Sequence, residues 1–232
     1  MEPSATAEPG KPVQLAVFDF DGTSISGNSP VLLVRHLHSF RMLSWPVIIK
    51  IMLWAGAYKT RLPQKESWVR GLVFTAFQGK PKEEADRFLY NFYDEKIEQL
   101  FRREAKAAMQ AHIDEGCVII LISATFEPIV VRAMDFHPFD HQISTRMHVD
   151  ETGSYTCEVE GRPVEGMEKV FAIRRFADAR YGEAAWELAY AYGDHHSDRH
   201  LLEAARHAAA VNPDLPLRKH AKRAGWDILK WS

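Results

Sequence analysis

Four short apolar runs stand out along the chain, at residues 13–18, 117–122, 188–192 and 209–211. Each ends abruptly in small or polar residues. The first runs into Asp19-Phe20-Asp21-Gly22-Thr23, the second into Ser123-Ala124-Thr125, the third into Gly193-Asp194 and the fourth into Asn212-Pro213. Runs of this length, bounded by turn formers, predict buried strands. Residues 97–115, 170–181 and 199–207 space their apolar positions among Lys, Arg and Glu, which predicts amphipathic helices. Alternating strands and helices imply a parallel sheet covered on both faces, an α/β Rossmann-like core. Ligands in such sheets bind beyond the carboxyl ends of the strands, where the Asp, Ser and Gly-Asp residues fall.

Two stretches break the alternation. Residues 28–94 carry helical periodicity and are rich in Leu, Trp, Phe, Arg and Lys, so they are expected to form an inserted helical cap domain on a core built from residues 13–27 and 95–232. Residues 142–164 alternate around a Gly-containing turn at Gly153, the pattern of a β-hairpin. Residues 1–12 are polar and Pro-rich without an apolar centre, which predicts a disordered leader and not a signal peptide.

Composition narrows the picture. With 46% apolar and 26% charged residues the chain resembles an ordinary globular protein able to bury a core. A formal net charge of −2 argues against a basic nucleic-acid binder. Cys117 and Cys157 suit neither a disulfide framework nor a zinc spacing, so a reducing, cytoplasmic setting is expected. No uncharged apolar run reaches the roughly 18 residues of a membrane span. The nearest approach, residues 42–57, is interrupted by Ser44, Pro46 and Lys50.

The candidate chemistry lies at the ends of the runs. Asp19 and Asp21 are spaced to share one face of an extended chain. One ionised carboxylate can attack phosphorus while the other protonates a leaving oxygen and then activates water. Taken alone, Asp-x-Asp-Gly is more often a surface turn, and it gains weight from directly following the apolar run. Thr23 offers a hydroxyl that orders the loop. Ser123 and the neighbouring amides can hold a phosphoryl oxygen, or Ser123 can cap a helix. Lys169, before a predicted helix, is either a phosphate-neutralising group or a solvated surface lysine. Asp194 and Asp198, with Asp19, can supply the few carboxylates a hard cation prefers. His195 and His196 are adjacent positions without zinc-like partners and are expected to line the loop or touch substrate.

In order, Asp19-x-Asp21-Gly22-Thr23, then Ser123, then Lys169, then Gly193-Asp194-x₃-Asp198 resemble the four motifs of the haloacid dehalogenase superfamily. The likeness runs from Val13 onward and is greatest to the phosphoserine-phosphatase-like branch called subfamily IB, to which the tail at 210–230 is also similar. The resemblance implies a Mg²⁺-dependent phosphomonoester hydrolase working through a phospho-aspartate. Asp19 would be the nucleophile and Asp21 the general acid and then base. Thr23, Ser123, Ala124 and Lys169 would hold the phosphoryl group. Asp19, the Asp21 carbonyl, Asp194 and Asp198, the last directly or through water, would hold the ion. It also implies a cap that closes over the site and selects the substrate.

The expected substrate is a small phosphorylated metabolite. A phosphotransferase or mutase sharing the intermediate is an alternative, as is a lipid-phosphate phosphatase of the phosphatidylglycerophosphatase type. Phosphoserine itself is disfavoured, because residues 24–29 lack the carboxylate that meets the serine amine in those relatives. Residues 31–43 and 47–54 are strongly apolar, with Arg35, Arg41, Lys50, Lys59 and Arg61 interspersed and Trp45, Trp54 and Trp68 nearby. That composition suits first of all helices packed on each other and the core, with a basic amphipathic surface in peripheral contact with a membrane as the alternative.

Overall fold

The computed structural model describes residues 11–59 and 71–232. Its core is a six-stranded sheet, every neighbouring pair parallel. The central strands are β1 (Val13–Asp19), β2 (Val118–Phe126) and β6 (Trp186–Gly193), with β7 (His207–Val211) beyond. β3 (His141–Thr145) and β8 (Asp227–Leu229) form the edges, giving the order β3-β2-β1-β6-β7-β8. Strand alternation splits the core in two. Leu15, Val17, Ile120 and Ile122 pack with Ile173, Leu201 and Leu217 on one face, while Ala16, Phe18, Ile119 and Leu121 pack with Leu89, Phe92 and Ile129 on the other. The sheet is therefore buried on both sides, as its near-continuous apolar runs require.

The α-helices whose bounds lie among the described residues are α1 (Ser29–Ser39), α2 (Trp45–Lys59), α3 (Lys82–Lys96), α4 (Arg103–Asp114), α5 (Glu127–Ala133), α6 (Met167–Tyr181), α7 (Arg199–Ala204) and α8 (Leu215–Ala224). Among the described residues no helix is long and apolar enough to cross a membrane. The hairpin pairs β4 (Met147–Val149) with β5 (Tyr155–Val159) in antiparallel fashion. It is bonded to the start of α3: Gly79 N donates to Tyr155 O at 2.8 Å, and the Tyr155 hydroxyl donates to the Asp86 carboxylate at 2.6 Å.

Three expectations need correction. Four strands were expected in the sheet, and two more exist. β3 and β8 are short edge strands with few buried side chains, so they carry no apolar run. The helix expected over 97–115 begins only at Arg103. The chain first makes a 3₁₀ turn at Glu98–Leu100 and then extends, because the loop after β1 claims its backbone: Ser26 N donates to Leu100 O and Arg102 N to Ser24 O, both at 2.8 Å. The helix expected over 199–207 stops at Ala204, where Arg206 N already bonds Leu188 O to start β7.

His137, beyond α5, is only 5% exposed. Its ring stacks on Phe101 at 3.5 Å and its Nε2 meets the Tyr93 hydroxyl at 2.6 Å. Burial first, and the Lys106 charge second, push its pKa down to about 3. The unfolded chain therefore takes up a proton near pH 6.5 that the folded chain refuses, and stability falls as pH drops from 6.5 towards 3. Between pH 6.5 and 5 this one group is expected to remove about 2 kcal/mol. Denaturant titrations of the intact protein and of His137→Gln should show their difference in unfolding free energy changing by that amount over the interval. Parallel curves would refute the assignment.

Candidate active site

The carboxyl ends of β1, β2 and β6 converge, and the sequence-singled residues arrive there from separate elements. Asp19 ends β1 and is 6% exposed. Lys169 lies in the first turn of α6, behind Gly166, and is 3% exposed. A cation in a helix's first turn opposes the helix dipole. Two carboxylates offset that cost: Lys169 Nζ donates to Asp19 Oδ1 at 2.5 Å and to Asp198 Oδ1 at 2.6 Å. Burial alone would lower the lysine pKa, but these two neighbours outweigh it and hold the ammonium charged.

Asp194 follows the last residue of β6, and Asp198 closes the 3₁₀ turn His196–Asp198. Carboxylate oxygens of Asp19, Asp194 and Asp198 lie within 4.8 Å of one another. Burial pushes the Asp19 pKa well up; Lys169 opposes this, while Asp198 and Asp194 add to it. Burial, then Asp198, raises Asp194 to about 7. One ammonium among two buried carboxylates and a half-buried third leaves negative charge uncompensated. An all-oxygen donor set with excess negative charge suits a hard cation such as Mg²⁺.

Two glycines make this approach possible. Gly22 has φ +77, and a Cβ there would lie 2.1 Å from Asp194 Oδ2. A Cβ on Gly193 would lie 2.8 Å from Asp198 Cβ. Any side chain at either position would displace a carboxylate of the cluster.

The Asp21 carboxylate is engaged elsewhere, by a partner that sequence reasoning missed. Ser29, the first residue of α1, donates its N–H to Asp21 Oδ1 at 2.5 Å and its hydroxyl to Oδ2 at 3.0 Å. The Ser29 hydroxyl also meets Thr125 Oγ1 at 2.8 Å. Burial raises the Asp21 pKa to about 6, with the Ser29 bonds pulling against it. Asn28 caps α1 through Val31 N, and Pro30 follows, so the helix start was legible although the bond to Asp21 was not.

Thr23 is fully buried, with Oγ1 3.5 Å from Asp194 Oδ1. Ser123 is not a helix cap: β2 continues past it to Phe126, and its Oγ accepts from Thr125 N at 3.0 Å. The register of β2 on β3 shifts between Ser123 and Phe126, leaving Ala124 partly open. Neither His195 nor His196 joins the carboxylate cluster. Instead Asp214, also missed, gathers this loop: its N–H donates to Asp194 O at 2.9 Å, and its carboxylate accepts from His196 N at 3.3 Å and Leu217 N at 2.8 Å. Asp214-Leu215-Pro216 carries the signature of a capped helix start, the one signal that could have found it.

A second group of metal-capable side chains, His112, Glu115 and Cys117, precedes β2 at the opposite end of the sheet, where His112 is already engaged by Glu115 and Tyr192. A cleft of about 230 Å³ lined by Met42, Phe77, Lys80, Glu84, Arg87 and Phe88 contains none of the clustered carboxylates.

Comparison with known proteins agrees with this geometry. Residues 16–203 match the family described as haloacid dehalogenase-like hydrolase. A Mycobacterium tuberculosis protein named a probable phosphatase is 30% identical over 223 residues, covering 94% of this chain and 75% of that one. A histidinol-phosphatase of Neisseria meningitidis is 27% identical, covering 94% of this chain and 98% of its own. A Bordetella pertussis structure of unknown function superposes with TM-score 0.83 at 21% identity, covering 94% and 99% of the two chains. A phosphoserine phosphatase solved as a phospho-aspartyl intermediate analogue superposes at 0.62 with 18% identity, covering 95% and 94%. The chain spans a parallel α/β sheet shared with these folds and matches the family over most of its length, and it belongs to the haloacid dehalogenase-like hydrolases.

Proposed function

We propose that the protein is a Mg²⁺-dependent phosphomonoesterase of the phosphoserine-phosphatase-like branch that works through a phospho-aspartate on Asp19. One observation carries this reading: a buried carboxylate at the end of the central strand, bonded to a buried lysine at 2.5 Å and clustered with two further carboxylates. An Asp19 oxygen forms a bond to phosphorus while the ester P–O bond breaks, and Asp21 gives its proton to the departing oxygen. Asp21 then takes a proton from water, whose oxygen attacks phosphorus and releases Asp19. A pKa of about 6 suits a group that must both give and take a proton near neutrality. Each Asp21 oxygen bonded by Ser29 retains a lone pair for this task. Lys169 holds Asp19 in place, and Thr23, Ser123 and the Ala124 amide receive the phosphoryl oxygens. Mg²⁺ held by Asp19, Asp194 and the Asp21 carbonyl, with Asp198 behind, would offset repulsion between two anions. Residues 28–94 form the cap in this reading, and the substrate is a small phosphorylated metabolite.

The test is phosphate release from p-nitrophenyl phosphate and from a panel including phosphoserine, histidinol phosphate, sugar phosphates and nucleotides. Release is expected with Mg²⁺, is lost in EDTA and returns when Mg²⁺ is restored. Activity that survives rigorous chelation contradicts the metal assignment. Transfer to an added alcohol in place of phosphate release favours the phosphotransferase alternative.

A further inference from the structure

We propose that the outer face of α1 and α2 docks on an anionic lipid bilayer. The inner side of this helix pair is satisfied: Leu33, Leu37, Leu43 and Ile48 are buried in the core. The outer side is not polar, as a solvent-facing helix surface would be. Val31, Phe40, Trp45, Ile49 and Leu53 are 50%, 58%, 66%, 53% and 70% exposed. Trp45, Ile49 and Leu53 recur every fourth residue, so they form one line along α2.

The charge around this face selects its occupant. Residues 22–59 contain no Asp or Glu but include Arg35, Arg41, Lys50 and Lys59, within a chain whose net charge is −2. Arg35, Arg41 and Lys50, on these two helices and the turn between them, are exposed. A second copy of the chain meeting this face symmetrically would set these cations against their own copies, with no carboxylate on the helices to pair them. A bilayer of anionic headgroups supplies both the apolar depth and the countercharge. α2 has 15 residues, short of the roughly 20 needed to span, so it lies in the interface plane.

The face begins at the site. Ser29, which holds Asp21, opens α1, and Val31 is the first exposed apolar residue two positions on. Docking through α1 therefore holds the start of the helix that bonds Asp21 at the headgroup layer. The substrate class that follows is a phosphomonoester on a lipid headgroup. That consequence rests on the phosphatase reading, whereas docking does not.

The test is sedimentation of the full chain with vesicles of phosphatidylglycerol and phosphatidylcholine, or of phosphatidylcholine alone. Binding is expected to the anionic vesicles, weaker in high salt. In the double variant Ile49→Glu/Leu53→Glu it should fall at least about tenfold, with p-nitrophenyl phosphate turnover unchanged. Absence of binding, or binding indifferent to both vesicle charge and the variant, overturns the proposal. So does a concentration-dependent dimer that the double variant dissolves, since the occupant is then a second copy. Vesicles containing phosphatidic acid form a separate arm. Phosphate release that drops in the double variant supports the lipid-borne substrate. Binding without release, while p-nitrophenyl phosphate is still cleaved, overturns that substrate class and leaves docking standing. Loss of turnover on every substrate overturns the phosphatase reading instead.

Discussion

Asp19→Asn is expected to reduce phosphate release by more than about a thousandfold, the scale on which removal of a covalent nucleophile acts. The substitution is nearly isosteric, and its cost to folding should be small. The ion pair to Lys169 is lost, but so is the repulsion that Asp194 and Asp198 exert on Asp19. The amide oxygen can still accept from Lys169 Nζ. Steady-state turnover of p-nitrophenyl phosphate, read beside a denaturant midpoint, separates the two roles. Near-normal turnover would sink the phospho-aspartate assignment. A collapsed midpoint with lost turnover would mean that Asp19 is needed first for the fold.

Lys169→Met should have the largest effect on stability. It leaves Asp19 and Asp198 buried, 6% and 1% exposed, without the cation that both now share. Removing one partner from a buried ion pair costs about 3–5 kcal/mol, because the remaining charge has no solvent to return to. The pH dependence has a definite sign. Asp19, already pushed upward by burial, rises further without the lysine. The folded variant then binds protons at pH values where the unfolded chain does not, so it gains stability as pH falls. The deficit against the unaltered protein should therefore be larger at pH 8 than at pH 5, and added Mg²⁺ should narrow it at pH 8. Urea unfolding at both pH values measures this. A variant as stable as the parent at pH 8 would show that Lys169 is not the balancing charge. Phosphate release should also fall, by about a hundredfold or more, as expected when a preorganised positive group is removed from a phosphoryl site.

The central strands and both ends of the motif set were legible because burial on two faces demands uninterrupted apolar residues, and β1, β2 and β6 supply them. Lys169 read alone was an ordinary surface lysine. Its position in the first turn of α6 and its two carboxylate partners depend on where β1 and β6 end, which no local pattern records. Ser29 and Asp214 escaped for a similar reason: both carry plain helix-start signals, and their second bonds, to Asp21 and to the Asp194 carbonyl, cross between elements. The edge strand β8 was missed because a strand with one neighbour and a wet face has little need of apolar residues, and β3 because residues 142–145 alternate like an arm of the hairpin that follows, whereas they pair with β2.

The contiguous features of this chain lay in its linear order. Apolar runs closed by Asp, Ser and Gly, helical spacing between them, and an insertion of helical periodicity after the first motif are properties that neighbours in sequence impose on one another. Tertiary packing decided the rest. It brought carboxylates separated by 175 and 179 positions from Asp19, namely Asp194 and Asp198, within 4.8 Å. It required glycine at 22 and 193 to let them close, broke the expected helix at 97–102 to brace the loop after β1, and left the outer line of α2 uncovered. Each of these outcomes depends on long-range contact, where the cost of burying a charge or a backbone donor is set by what the rest of the fold places beside it.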